Sequence, residues 1–127
     1  MTTAQRVTAQ LTSFVTDLVK EVSINSVANL IETTPVDTGW ARANWLPSIG
    51  SPVESPAGTR ETVTTSNQDG GLAEIASSYT LDRGNIFISN NVPYILSLNM
   101  GTSTQAPPGF VQISIARAIA SAVRRRV

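Results

Sequence analysis

Apolar residues fall at three- and four-residue intervals over two long stretches, one near each end of the chain, with shorter mixed runs between them. In residues 4–33, Leu11, Phe14, Val15, Leu18 and Val22 share one helical face, while Gln10, Thr16, Asp17, Lys20 and Glu21 fall elsewhere. The stripe then drifts to Val27, Leu30 and Ile31, as expected of a helix that meets different neighbours at its two ends. Ser23, Asn25 and Ser26 lower helix propensity in the middle and allow a kink. Thr33-Thr34-Pro35 ends the element, because the residue before proline is driven out of the helical region. So long a helix in so short a chain is either a brace across a sheet or a surface for another subunit. Residues 110–126 form the second long helix, with Phe110, Val111, Ile113, Ile115, Ala118, Ile119, Ala122 and Val123 as a broad apolar stripe.

Between these helices the period changes. Thr34-Pro35-Val36-Asp37-Thr38-Gly39 is a turn, in which Asp37 accepts from backbone groups just downstream and Gly39 supplies a permissive dihedral. Trp40-Ala41-Arg42-Ala43-Asn44-Trp45-Leu46 alternates and predicts a strand. Residues 47–71 are interrupted by proline and glycine and predict an irregular arm, with Thr62, Val63 and Thr64 as a short edge strand. Leu72, Ile75, Ala76 and Tyr79 have helical spacing, with Asp69 as a cap. Ile86, Phe87 and Ile88 are the clearest strand, ending at Asn90-Asn91, which tolerate left-handed backbone. Val92-Pro93 then restarts the chain as a short helix with Tyr94, Ile95, Leu98 and Met100 on its apolar face, and Gly101 stops it.

At 127 residues the chain fits a single domain spanning 1–127, and 41% apolar residues is a low share that leaves surface for partners. Nine basic and nine acidic residues cancel, so no tight hold on nucleic acid or anionic membrane follows from overall charge. The one concentrated charge is Arg124-Arg125-Arg126, which suits either a solvated helix C-terminus or contact with phosphate or an acidic neighbour. With neither cysteine nor histidine there is no disulfide, zinc site or imidazole acid–base pair. Asp37, Glu54, Glu61, Asp69, Glu74 and Asp82 are scattered without the spacing of a dyad or metal cluster. No enzyme and no cofactor is expected. The N-terminal residues lack a signal-peptide pattern and no apolar run approaches membrane-spanning length, so a soluble protein made in a cytoplasm is expected.

Two pairs of motifs carry a resemblance. Thr34-Pro35-Val36-Asp37-Thr38-Gly39 followed by Arg42-Ala43-Asn44-Trp45 is the first pair. The second is Ile88-Ser89-Asn90-Asn91-Val92-Pro93-Tyr94 followed by Gly101-Thr102-Ser103-Thr104-Gln105-Ala106-Pro107-Pro108-Gly109-Phe110. In order and spacing the chain resembles the neck and tail-completion proteins of tailed bacteriophages, the group often called HK97 gp10-like. Only residues 47–71 fall outside the resemblance.

The resemblance implies an α+β subunit in which a long N-terminal helix and a C-terminal helix pack on a small antiparallel sheet. It implies a homo-oligomeric ring, commonly a hexamer, in the virion's head–tail connector, assembled in the host cytoplasm around the channel for double-stranded DNA. Connector or stopper proteins and tail-terminator or tail-tube proteins are the implied neighbours. Closing a ring requires two different complementary patches per chain. Phe14 and Leu18 on the long helix, and Tyr94, Leu98 and Phe110, are the candidate contacts, together with Trp40, Trp45, Arg124, Arg125 and Arg126. The 47–71 arm is expected to reach an adjacent ring, and deletion of residues 50–68 to leave the fold intact while impairing head–tail joining. A tail terminator that caps the tail tube is the alternative within the class. A nucleic-acid-binding module, with Trp40 and Trp45 as stacking platforms beside the three arginines, is the alternative outside it.

Overall fold

The computed structural model describes residues 1–126. Its elements are α1 (Thr3–Thr33), α2 (Trp40–Ala43), β1 (Leu46–Ile49), α3 (Ser66–Ser78), a 3-10 turn (Leu81–Arg83), β2 (Ile86–Ser89), α4 (Ile95–Asn99) and α5 (Phe110–Arg126). β1 and β2 form a two-stranded antiparallel sheet, pairing Leu46 with Ser89 and Ile49 with Ile86. The architecture is α+β, with a long N-terminal and a C-terminal helix around a small antiparallel sheet, as expected.

The two long helices run antiparallel and meet through small side chains. Ser23, Ser26, Val27 and Leu30 are the buried residues of α1, and Phe110, Ser114, Ala118 and Ala122 those of α5. The α5 set repeats every four residues, a single row that lets the backbones approach closely. The serines that lower helix propensity are therefore what this seam needs. Polar groups along the seam bond locally or across it: Ser23 Oγ donates to the Val19 carbonyl, Asn29 Nδ2 to the Ser114 carbonyl at 3.1 Å, and the Thr33 and Ser114 hydroxyls pair at 2.9 Å. At the far end of α5, Arg126 Nε lies 3.2 Å from Glu21, which Arg125 also contacts. The apolar stripe expected on α5 is thus only partly inside; Ile113, Ile119 and Val123 face solvent.

α1 reaches well past this seam. Residues 1–15 are exposed throughout. Thr2 caps the helix reciprocally, its hydroxyl accepting from the Gln5 N–H and the Gln5 side chain accepting from the Thr2 N–H.

The core gathers Val27, Leu30, Trp45, Ala106 and Phe110, with Ile31, Leu72, Ile88, Ile95, Leu98 and Val111 against them. Thr34 ties its upper edge. The Thr34 hydroxyl donates back to the Leu30 carbonyl and accepts from Trp45 Nε1 at 2.7 Å, while Arg42 donates to the Thr34 carbonyl. Asn99 stitches α4 to the start of α5: its carbonyl accepts from the Gly109 N–H, and its Oδ1 accepts from the Val111 N–H, one of the first-turn donors that α5 cannot pair within itself.

Three local expectations are corrected. The segment Trp40–Leu46 is not one strand: Gly39, at φ 86°, starts a single helical turn over Trp40–Ala43, and the strand begins at Leu46. Asn90 and Asn91 do not take left-handed backbone, since positive φ is confined to glycine among the described residues; their side chains instead bond the Ala41 and Val53 carbonyls. Asp69 lies in the first turn of α3 and accepts from the Thr65 hydroxyl, so Thr65 is the capping position.

Adjacent glycines in α3 have opposite roles. A Cβ on Gly71 would come within 2.3 Å of the Pro47 carbonyl oxygen, whereas one on Gly70 meets nothing. Gly71 is what allows α3 to lie against β1. Replacing Gly70 with Ala is expected to stabilise the fold by up to ~1 kcal/mol, the ordinary helix-interior gain. Gly71→Ala should destabilise it by about 1–3 kcal/mol. Urea unfolding of the two variants checks the opposite signs.

Candidate assembly surfaces

The exposed half of α1 carries the first candidate surface. Val7, Leu11, Phe14 and Val15 are exposed large apolar residues, Leu11 at 60% and Phe14 at 42%, and Leu18 is half-buried where the stripe meets the body. Val7, Leu11, Phe14 and Leu18 follow the alternating four-and-three spacing of a helix seam. At its base the same face of α1 becomes one wall of an apolar groove of about 670 Å³. Leu18, Val19 and Val22 form that wall, and Tyr79, Leu81, Ile86 and Phe87 line the rest. No charged side chain lines it.

The second surface is the concavity where the two motif pairs meet. Gln105 uses its side-chain amide as a strand would use its backbone: Oε1 accepts from the Val36 N–H at 2.9 Å and Nε2 donates to the Val36 carbonyl at 3.3 Å. This clamps the 101–109 loop to the 34–39 turn across a cavity of about 190 Å³, lined by Pro35, Asp37, Arg60, Tyr94 and Leu98 among others. Asp37 pairs with Arg60 at 3.4 Å rather than with its own backbone, and Thr38 Oγ1 takes the Trp40 N–H. The Arg60 guanidinium lies 5.8 Å from the Tyr94 ring centre, and the Trp40 and Tyr94 rings are 6.2 Å apart and tilted.

No family model, curated protein or solved structure matches this chain.

The structure divides the predicted contact residues into four groups. Phe14 and Leu18 belong to the α1 stripe and groove, and Trp40, Tyr94 and Leu98 line or flank the motif concavity. Trp45 and Phe110 are core residues at 5% and 1% exposure, so neither is a surface contact; the core needed large side chains at the one level where α1, α5 and the sheet converge. Arg124 is exposed, while Arg125 and Arg126 both reach Glu21 across the helix seam. Trp45 is too buried to serve as a stacking platform, and its indole N–H is bonded to Thr34; Trp40 is half-buried, with its indole N–H bonded to the Ala57 carbonyl and its ring tilted against Tyr94. Leu96 and Met100 turn outward from α4, at 74% and 77% exposure, so Met100 leaves the apolar face expected to include it.

The irregular segment is shorter and better fastened than its composition suggests. It runs from Gly50 to Thr65, because β1 and α3 take its ends. Asn44, wholly buried, holds it by two hydrogen bonds, Oδ1 accepting from the Ala57 N–H at 2.7 Å and Nδ2 donating to the Ala57 carbonyl at 3.0 Å, and Nδ2 also donates to the Trp40 carbonyl of α2. Gln68, buried one helical turn after the segment, donates to the Arg42 and Trp45 carbonyls. These contacts make 50–68 part of the body, and the expectation that it is dispensable for folding is withdrawn. Among the described residues no three acidic side chains gather as metal ligands would, and no helix is long and apolar enough to cross a membrane.

Asn44→Ala should cost about 1–3 kcal/mol, since it strands the buried Ala57 amide, and should open residues 50–65 to limited proteolysis. Arg60→Ala removes an exposed pair with Asp37 and the contact with the Tyr94 ring, and should cost about 1 kcal/mol or less. Denaturant unfolding with parallel protease digestion separates the two.

Proposed function

We propose that the chain is a structural subunit of a tailed-phage virion, repeating in a ring at the head–tail connector around the DNA channel. The observation that carries this reading is the uncovered apolar stripe on α1: four turns of a well-capped helix expose Val7, Leu11, Phe14 and Val15, which the chain's own fold leaves without a partner. The motif pairs add to it. Their residues converge at the Gln105 clamp, so the stretches that carry the resemblance form one built feature rather than separate turns. A net charge of zero suits a conduit that must pass DNA without holding it, and two of the three terminal arginines are drawn back onto Glu21. The burial of Trp45 and the pairing of Arg125 and Arg126 with Glu21 weigh against the nucleic-acid module. The implied neighbours are further copies of the chain and the connector and tail proteins above and below.

A phage lacking the chain should accumulate filled heads and separate tails of normal length when lysates are viewed by electron microscopy. Overlong tails would assign tail termination instead, and normal virions would refute the reading. Purified protein should show negligible DNA binding at moderate salt; tight binding that falls steeply with added salt would point to the module.

A further inference from the structure

We infer that the projecting half of α1 from one copy lies in the apolar groove at the base of α1 in a second copy. This rests on the ring reading only for how many copies join; the contact itself is argued from the chain.

The groove and the stripe are halves of one shape problem. The groove is concave, apolar and free of charge, and the stripe is a convex helix face whose seam positions Val7, Leu11, Phe14 and Leu18 carry no charge either. They cannot meet within one molecule. Leu18 and Val22 wall the groove and belong to the same unbroken helix as Leu11 and Phe14, so the stripe points away along the axis from its own groove. Another copy meets no such barrier, and with a net charge of zero two copies do not repel at long range.

Area decides how the contact is used. The exposed four turns are ~20 Å long and ~10 Å wide, which gives roughly 300 Å² along half the cylinder. A helix laid once into a groove then removes roughly 600 Å² counting both partners, about half of the ~1,200 Å² at which specific pairs become stable. Each copy must therefore engage by both its stripe and its groove to be held. Used in succession, one stripe to one groove, the contacts are heterologous and close a ring when the rotation between neighbours returns to its start, or extend a filament when it does not; used reciprocally, they close a pair. The ring reading selects succession, and a weak single contact then implies that open intermediates do not accumulate.

The chain has no cysteine, so a disulfide can form only at engineered positions. Leu11→Cys and Leu81→Cys both change exposed residues, one on the stripe and one at the groove, and neither should disturb folding. Mixed and oxidised, the two variants should cross-link to each other, while each alone stays uncross-linked. Native mass spectrometry of the unmodified chain at rising concentration should show monomer and one closed ring. Leu11→Glu should raise the concentration needed for assembly by about tenfold or more, with an unchanged unfolding midpoint for the monomer. Cross-linking of Leu11→Cys only to itself, meaning helix-on-helix pairing, overturns the inference, as does a chain that stays monomeric at every concentration. A ring without the 11–81 cross-link overturns this contact and leaves the ring. A cross-linked dimer keeps the contact and removes the ring.

Discussion

Two antiparallel helices of unequal length, held together by a seam of small residues, decide most of this molecule. Seventeen residues of α5 span ~26 Å and thirty-one of α1 span ~46 Å, so about 20 Å of α1 must run on alone. Ser23 and Ser26 facing Ser114, Ala118 and Ala122 fix where the overlap lies, because only that row of small side chains permits so close an approach. Arg125 and Arg126 on Glu21 mark where it ends. The exposed stripe, the groove beneath it and the proposed contact between copies all follow from that offset.

Around the seam, buried polar side chains hold what a two-stranded sheet cannot. Such a sheet is marginal alone, and here β1 leans on α3 through Gly71 while the Thr34–Trp45 bond ties it to the end of α1. Asn44 and Gln68 do the same for backbone with no regular partner: between them they satisfy the Ala57 amide and the carbonyls of Trp40, Arg42, Trp45 and Ala57. An irregular stretch rich in proline and glycine can therefore be ordered without burying much apolar surface of its own, because its polar groups are met one by one.

The long helices, the Ile86 strand and the breaks at Pro35 and Gly101 were legible in the sequence because periodicity and backbone chemistry are local signals. The Trp40–Leu46 segment was misread for a local reason as well: alternation over seven residues also fits one helical turn followed by the start of a strand, and the left-handed Gly39 selects the turn. What local pattern could not carry was pairing. Glu21 and Arg126 are separated by 105 positions, Gln105 and Val36 by 69, and nothing in their neighbourhoods marks them as partners. The surface candidates fared unevenly for the same cause. A helix stripe shows which residues share a face, but Phe14 is exposed and Phe110 buried only because of where the opposing helix stops.

The reciprocal cap formed by Thr2 and Gln5 sits at the tip of a helix whose first four turns touch nothing in their own molecule. Short helices without tertiary support fray in water, so fastening the loose tip keeps the segment wound while it is still solitary. Less disorder would then have to be surrendered in the proposed contact between copies. Under the proposed contact, two residues at the tip of α1 would set how readily copies join.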